Sequence, residues 1–298
     1  MELHYTASEG DRFRALRPVL RESLRLSAAA VRQLKAADAI FVNGQPVHTD
    51  YRLAPGDRLT VRLTEPEPAF PAEEGPLSVL WEDEDYLAVD KPQGLIVHPT
   101  HSRLTGTLAN AAWARIRSGG GEGCHILNRL DRDTAGVVLF AKNARACALM
   151  ADRFTGKEYL AAVYGAPPAE AGSITLPIRR AAETDMRRVC AADGQPARTD
   201  YRLLETREDR SLLRLRLFTG RTHQIRVHCA ACGFPLLGDR LYGTELSLAC
   251  SDGLGLQAHA LRCVSLRFRH PLTEEIVVLT APPTERIFTE AFFADWKL

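Results

Sequence analysis

The sequence lacks the long apolar segment of a membrane-spanning protein and the paired cysteines of a disulfide-stabilised one. No apolar run approaches the roughly 20 residues that a spanning helix needs, and none follows the arginine-rich start of the chain. The seven cysteines are an odd number and lie apart, except for Cys229 and Cys232. We therefore expect reduced thiols, a cytoplasmic location and no contact with a membrane.

The sequence also lacks a glycine-rich loop for a dinucleotide or a nucleoside triphosphate, so we expect no cofactor. His223 and His228 lie close to Cys229 and Cys232, and these residue types bind zinc. However, Ile225, Cys229 and Cys232 fall on one helical stripe, which predicts that both sulfurs face the core. We therefore predict no metal site.

Basic charge is concentrated at the start of the chain, although the net charge of the whole chain is only +1. Residues 1–63 carry ten basic and seven acidic side chains, whereas residues 64–76 carry four glutamates, four prolines and no base. Helical periods over 11–26 and 28–36, and a hairpin at Asn43-Gly44, predict a small α/β domain over residues 1–63. The acidic, proline-rich stretch 64–76 is typical of a semi-rigid linker, and residues 77–298 form a second predicted domain.

Six bases of the first domain could form a face that binds RNA phosphate, or they could simply solvate a helix surface. They are Arg14, Arg17, Arg21, Arg25, Arg32 and Lys35. Four further arginines surround a predicted hairpin of the second domain, namely Arg179, Arg180, Arg187 and Arg188. Because guanidinium groups bind phosphate and stack on bases, this hairpin could contact RNA, or it could be a solvated loop.

The run NRLDRDTAGVVLFAK, residues 128–142, places charge directly before a predicted buried strand. Asp131 and Asp133 alternate with Arg129 and Arg132 next to the core. This placement suits an ionised carboxylate held for chemistry. It equally suits a turn-forming aspartate with a local ion pair.

Several motifs together resemble the RluA-type pseudouridine synthases. They are this run, LAVDKPQGLIVHP at 87–99, Lys157-Glu-Tyr159 and GRTHQIR at 220–226. The sequence departs from the family pattern at Asn128, usually His, and at Ala135, usually Ser, which affects local hydrogen bonding more than the carboxylate. Residues 24–61 resemble the small RNA-binding domain first described in ribosomal protein S-four, which often precedes the catalytic part in this family. The resemblance implies an α+β protein in which this small α/β domain precedes a catalytic domain with a mixed, largely antiparallel β-sheet and flanking helices.

The resemblance also implies roles for particular residues. They are Asp131, Arg221 and Tyr159 in catalysis, and Arg129, Lys91 and Lys157 in substrate binding. Asp131 would be the catalytic carboxylate, Arg221 its paired cation, and Tyr159 the aromatic that stacks on the target base. Arg129 would fill the space that the base leaves. Without the resemblance, Tyr159 could fill the core and Lys91 could be an exposed turn lysine.

We therefore predict an RNA pseudouridine synthase, an isomerase that modifies specific uridines in structured RNA. The added RNA-binding module favours ribosomal RNA over transfer RNA, and we expect a monomer with no obligate protein partner. One alternative is a non-catalytic RNA-binding protein. Another is a glycoside hydrolase that uses Asp131 and Asp133 as its two carboxylates, although none of the three tryptophans lies near them in sequence.

Overall fold

The computed structural model describes residues 2–26, 28–65, 67–100, 103–183 and 185–288. Its first part contains β1 (Glu2–Thr6), a 3-10 turn (Glu9–Asp11), α1 (Leu16–Glu22), α2 (Ala28–Ala36), β2 (Ile40–Val42), β3 (Gln45–Pro46) and β4 (Arg58–Arg62). The four strands form an antiparallel sheet in the order β1-β4-β2-β3. Leu59 and Val61 of β4 alternate with exposed arginines and pack in a hydrophobic cluster with both helices. This part of the chain thus has a core of its own.

Two local details of this part depend on backbone conformation. The predicted hairpin turn forms at Asn43 and Gly44, whose φ angles of 50° and 79° suit a tight turn between antiparallel strands. The helix predicted from residue 11 begins only at Leu16, because Phe13 adopts a φ of 64° outside the helical region. The sequence pattern does not predict β1, since this edge strand has no fully buried residue.

The acidic stretch after β4 lies against the larger part of the chain. Glu65 contacts His125 Nε2 at 2.6 Å and accepts a hydrogen bond from the backbone N–H of Ala144. Asn110 Nδ2 donates to the carbonyl of Pro71. These contacts hold the start and the middle of the stretch, so it is less free than its composition suggests.

The second part of the chain is built around one large sheet. Its elements are β5 (Ser78–Glu82), β6 (Tyr86–Lys91), α3 (Leu108–Ser118), β7 (His125–Ile126), β8 (Ala135–Ala141), α4 (Ala144–Leu149), β9 (Phe154–Tyr164), β10 (Ala171–Ile174), β11 (Ile178–Arg180), β12 (Arg188–Cys190), β13 (Thr199–Arg207), β14 (Arg210–Leu217), α5 (Gln224–Ala231), α6 (Glu245–Gly253), β15 (Leu261–Arg269), β16 (Ile276–Thr280) and a 3-10 turn (Arg286–Phe288). Among the described residues, ten strands form the sheet in the order β10-β13-β14-β9-β15-β8-β6-β5, with β16 beside β15 and β7 beside β8. Of the strand pairs that the described residues form, only β8 and β15 are parallel. The predicted mixed, largely antiparallel sheet with flanking helices is confirmed.

Strand β8 lies in the middle of this sheet, and all seven of its residues are buried. Gly136 permits the close approach of β15, because a Cβ atom at this position would lie 2.1 Å from the carbonyl oxygen of Cys263. Its φ of 111° is also strained for any residue with a side chain. The charged loop that contains Asp131 leads directly into β8, so it lies at an end of the inner strands of the sheet. Within the described ranges, no helix has the length and apolar character needed to cross a membrane.

Candidate active site

A cavity of about 470 Å³ opens where the loop before β8 meets β9, β14, β15 and the start of α5. Its walls combine charged, aromatic and apolar side chains. The predicted catalytic and substrate-binding residues that line it are Arg129, Asp131, Lys157, Tyr159 and Arg221. The separate motifs of the sequence therefore meet at one place.

Asp131 is held at one wall of the cavity by Arg226 of α5. Arg226 Nη1 lies 3.1 Å from Asp131 Oδ2. The other two donors of the same guanidinium, Nε and Nη2, bond Asp239 at 2.7 and 2.8 Å, and the Asp239 side chain is completely buried. Burial alone would lower the pKa of Arg226, but its hydrogen bonds and attraction to Asp239, and then to Asp131, raise it. A buried, permanently charged arginine thus joins two carboxylates.

Arg226, not the predicted Arg221, is the partner of Asp131. Arg221 precedes α5, is exposed, and donates from Nε to the carbonyl of Pro196 at 3.1 Å. Because α5 begins at Gln224, Arg226 lies on its buried inner side, whereas Arg221 remains on the rim of the cavity. The pairing predicted for Arg221 is therefore wrong.

Asn128 ties the loop to the strand that follows it. Its Nδ2 donates to the carbonyl of Val137 at 2.9 Å, and its Oδ1 accepts from the N–H of Leu139 at 2.8 Å. The side chain is buried, so these two bonds satisfy its amide inside the core. The departure from the family pattern at this position thus still gives a fixed loop.

Strand β9 contributes two further side chains to the cavity wall, Tyr159 and Lys157. Tyr159 is only 6% exposed, and burial raises the pKa of its hydroxyl well above the ordinary value. Lys157 is half-buried, and its Nζ lies 4.5 Å from the centre of the Phe154 ring. Arg129, by contrast, is exposed and makes no hydrogen bond or ion pair with another described residue. A guanidinium without an ion pair to a described residue and a buried aromatic ring therefore line the same cavity.

Lys91 does not contact the cavity, so the prediction that it binds substrate is wrong. Its ammonium is fully buried and donates to the carbonyls of Pro92, Leu95 and Arg132 at 3.0, 2.8 and 2.7 Å. Burial lowers its pKa to about 8. Because Arg132 follows Asp131 directly, the hydrogen bond from Lys91 to the Arg132 carbonyl holds the loop that carries Asp131.

Asp133 also lies outside the cavity lining. It forms a two-point ion pair with its neighbour Arg132, at 2.9 Å for each contact. The hydrogen bond from Arg132 lowers the pKa of Asp133, although burial opposes this. The local ion pair considered for this cluster therefore forms at Asp133, and only Asp131 faces the cavity.

Three functional candidates were not singled out by sequence reasoning. They are Arg226, Asp239 and Tyr242. Arg226 ends the GRTHQIR motif, but the motif alone does not show which of its two arginines pairs with Asp131. Asp239 and Tyr242 lie in the loop that precedes α6, and their contacts with α5 depend on tertiary structure. The Tyr242 ring lies 5.1 Å from the Arg226 guanidinium carbon.

The hairpin of β11 and β12 lies against α5, next to the cavity. Ile178, Val227 and neighbouring Tyr242 share a small hydrophobic cluster. All four predicted arginines also have local partners: Asp193 for Arg179, the Glu183 carbonyl for Arg180, Asp185 for Arg187 and the Met186 carbonyl for Arg188. Three of the four are exposed and Arg188 is half-buried. Arg179 and Arg187 are thus neutralised by aspartates, whereas Arg180 and Arg188 bond only carbonyls among the described residues.

The six bases of the first domain fall into two groups. Arg14 is paired with Asp11 and Glu22, Arg21 donates to the Leu26 carbonyl, and Arg25 contacts the Pro271 carbonyl and Glu274. Arg17, Arg32 and Lys35 are exposed and make no ion pair with another described residue. The second group is the better candidate for phosphate contact.

The residues considered for zinc have other environments. Both ring nitrogens of His228 are engaged, with Thr199 Oγ1 and the Leu176 carbonyl at 2.9 Å each. Cys229 is buried as predicted, but Cys232 is exposed. The prediction that both sulfurs face the core is therefore wrong for Cys232, because α5 ends at Ala231.

A carboxylate fixed by an arginine and a buried tyrosine line one cavity on a mixed sheet, and the similarity of this chain to known proteins places it in the class of enzymes that isomerise uridine in RNA. A family model described as RNA pseudouridylate synthase matches residues 85–231, which include Asp131, Tyr159 and Arg226. The chain is 37% identical over 268 residues to the uncharacterized RNA pseudouridine synthase YlyB of Bacillus subtilis, covering 87% of this chain and 86% of that protein. It is 34% identical over 271 residues to ribosomal large subunit pseudouridine synthase D of Xanthomonas campestris, covering 85% and 80%.

Solved structures agree with these sequence comparisons. Human RNA Pseudouridylate Synthase Domain Containing 1 superposes with a TM-score of 0.58 and 27% identity, covering 75% of this chain and 89% of that one. The chain belongs to the RNA pseudouridine synthase family. It is therefore an isomerase that acts on RNA, which confirms the family and the enzyme class predicted from the sequence.

Proposed function

We propose that this enzyme isomerises specific uridines in structured RNA through the carboxylate of Asp131. The observation that carries the proposal is the 3.1 Å contact between Asp131 and Arg226 in a cavity that Tyr159 also lines. Arg226 cannot follow the carboxylate away from this wall, because Asp239 holds its other two donors. Asp131 is thus oriented before any substrate binds.

The reaction conserves every atom of the uridine. The bond from C1′ of the ribose to N1 of uracil breaks, the base rotates, and a bond from C1′ to C5 forms. C5 loses a proton and N1 gains one, so no electron is transferred to or from another molecule. Asp131 acts at the sugar or at the base in the first step. Tyr159 stacks on the uracil while it is detached.

The target nucleotide must leave its stack to reach the cavity. Extrusion costs on the order of a few kcal/mol, and stacking on one aromatic ring returns about 1–3 kcal/mol. Tyr159 alone therefore offsets only part of the cost. We assign the remainder to Arg129, whose exposed guanidinium fills the space that the base leaves, and to Lys157, whose charge attracts the phosphate backbone.

Residues 1–63 are proposed to be an S-four-like RNA-binding domain, joined by the linker 64–76 to the catalytic domain 77–298. Its bases Arg17, Arg32 and Lys35, which form no ion pair with a described residue, and the four arginines of the β11–β12 hairpin would contact the RNA backbone. Ribosomal RNA is the favoured substrate over transfer RNA. This is supported by the added RNA-binding module and by the name of the Xanthomonas relative. We expect the enzyme to act in the cytoplasm as a monomer.

The test is to incubate the protein with total RNA and to map new pseudouridines. Asp131→Asn should abolish product while RNA binding persists. Asp133→Asn is the matched control, since this carboxylate is paired with Arg132 and does not line the cavity, and it should keep most of the activity. Product from the Asp131→Asn protein would contradict the proposal, and equal losses in both variants would favour a shared role of two carboxylates.

A further inference from the structure

His223 lies between Tyr242 and the carboxylate proposed to be catalytic. Its Nε2 is 3.8 Å from Oδ2 of Asp131, and its Nδ1 is 2.8 Å from the Tyr242 hydroxyl. The side chain lines the cavity and is only 11% exposed. The residue precedes α5 with φ 57° and ψ 20°, a left-handed conformation that is uncommon outside glycine and often marks functional sites.

The hydrogen bonds around Tyr242 determine which nitrogen of His223 carries the proton. The backbone N–H of Arg188 lies 2.8 Å from the Tyr242 hydroxyl oxygen and can only donate. The hydroxyl therefore keeps its own hydrogen for an acceptor, and Nδ1 of His223 is at the right distance. Burial raises the pKa of Tyr242 and lowers the pKa of His223, so the tyrosine stays protonated and the ring carries a single proton. That proton is then on Nε2, which faces Asp131.

Two nitrogen atoms that carry a proton, one from Arg226 and one from His223, thus lie near Oδ2 of Asp131. Arg226 Nη1 reaches Oδ2 at 3.1 Å, and His223 Nε2 approaches Oδ2 at 3.8 Å. Oδ1 receives no hydrogen bond from any residue that the structure describes. The longer contact exceeds a direct hydrogen bond, but contacts of this kind are often long in the free enzyme and shorten when substrate binds.

We propose that His223 is a positioning residue for the isomerisation: its Nε2–H, directed by Tyr242, is the second donor to Oδ2 of Asp131 and keeps Oδ1 turned to the substrate. The inference rests on the proposed function, since it assumes that Asp131 is the reacting carboxylate. It also gives the β11–β12 hairpin a second role. Arg188 belongs to this hairpin and bonds Tyr242 through its backbone, so RNA held there would fix the chain of donors that ends at Asp131.

The test measures single-turnover rates at saturating RNA, and RNA affinity, for three variants. His223→Ala should lower the rate about tenfold with unchanged affinity, which is the loss of roughly one hydrogen bond in the transition state. His223→Gln should recover most of the rate, because its amide nitrogen can occupy the place of Nε2. Tyr242→Phe should lower the rate by a smaller factor. Tyr86→Phe is the control, since it removes a buried hydroxyl bonded to the Ala146 carbonyl, away from the cavity.

A measurement on the unaltered enzyme makes the test independent of variant folding. Nitrogen-15 NMR of the histidine side chains should show His223 protonated at Nε2 and unprotonated at Nδ1. A proton on Nδ1, or equal rates for His223→Ala and the unaltered enzyme, would overturn the inference. The proposed function fails differently: the unaltered enzyme would then make no pseudouridine, or Asp131→Asn would still make it.

Discussion

Arg226 and Asp239 form a two-point salt bridge in the interior, with both contacts below 3 Å and with the Asp239 carboxylate fully buried. This bond orients the guanidinium independently of Asp131. Asp239 in turn accepts hydrogen bonds from the N–H groups of Leu241 and Tyr242. The cation that faces Asp131 is therefore fixed in advance by residues that do not touch the cavity.

The first prediction concerns the geometry of this cation. Arg226→Lys keeps the charge but cannot bond Asp239 and Asp131 together, because an ammonium lacks the planar fork of donors. We expect the isomerisation rate to fall by roughly 10²-fold or more, as when one preorganised donor is removed. Unfolding in urea should show a loss of about 1–3 kcal/mol in stability.

The matched control is Arg221→Lys at the rim. The Arg221 side chain is exposed and, among the described residues, bonds only the carbonyl of Pro196, so its replacement should change the unfolding free energy by less than about 0.5 kcal/mol. Its effect on the rate should also be much smaller. Equal losses of rate in Arg226→Lys and Arg221→Lys would show that the two-point bond between Arg226 and Asp239 does not contribute to the orientation of Asp131.

The second prediction concerns Arg129 and base extrusion. Arg129→Ala should slow the reaction strongly on a uridine stacked in a helix, because nothing then fills the space that the base leaves. On a flexible single-stranded loop the loss should be small, since there is little stacking to replace. Single-turnover rates on two RNAs with the same target sequence would compare these losses. Equal losses would contradict the role given to Arg129.

The third prediction concerns acid stability through His259. This residue is 3% exposed, its Nε2 bonds Thr134 Oγ1 at 2.8 Å, and burial together with Arg226 lowers its pKa to about 4. Between pH 6.5 and about 4 the unfolded chain therefore binds a proton that the folded protein does not. Stability is unaffected above this window and falls within it by up to about 3 kcal/mol as the pH drops.

Urea unfolding at pH 7 and at pH 4.5 would measure this contribution. His259→Gln should lose less stability between the two pH values than the unaltered protein, because glutamine does not titrate. His4→Gln on the exposed face of β1 is the control and should behave like the unaltered protein. A pH dependence unchanged in His259→Gln would mean that other groups cause the acid sensitivity.

The sequence predicts those residues of the candidate site that belong to short, continuous motifs. Asp131 at the start of a buried strand and Tyr159 within another are both visible as patterns, and both line one cavity. The choice between Arg221 and Arg226 is not visible. It depends on where α5 begins and on the left-handed turn at His223, and neither follows from hydrophobic periodicity.

Long-range contacts explain the remaining differences. Lys91 resembles a turn lysine in sequence. It is buried in the structure because the chain around Arg132, far along the sequence, packs over it and accepts a hydrogen bond from its ammonium. Asp239 has no chemical pattern of its own and gains its role only from α5. The roles of such residues depend on contacts with residues far away in the chain, and these contacts cannot be seen in the sequence alone.

The fourth prediction concerns the contact between β8 and β15. Gly136→Ala should destabilise the protein by about 3 kcal/mol or more, because the new Cβ would meet the Cys263 carbonyl and the φ angle is unfavourable. Gly156→Ala in β9 is the control, since its Cβ would have only an ordinary contact at 3.6 Å with Arg267. Thermal and urea unfolding would compare the two. A stable Gly136→Ala protein would show that the two strands can separate at little cost.

The last prediction concerns the bases that we propose for phosphate contact. Replacing Arg17, Arg32 and Lys35 together by glutamine should weaken RNA binding and flatten its salt dependence, because each lost phosphate contact removes about 0.7–0.9 from the slope of log K against log salt. Arg14→Gln is the control, since this arginine is already paired with Asp11 and Glu22, and it should leave the slope nearly unchanged. Binding would be measured by titration at several salt concentrations. If the triple variant keeps the original slope, these side chains only solvate the surface, and the RNA is held mainly by the hairpin arginines beside the cavity.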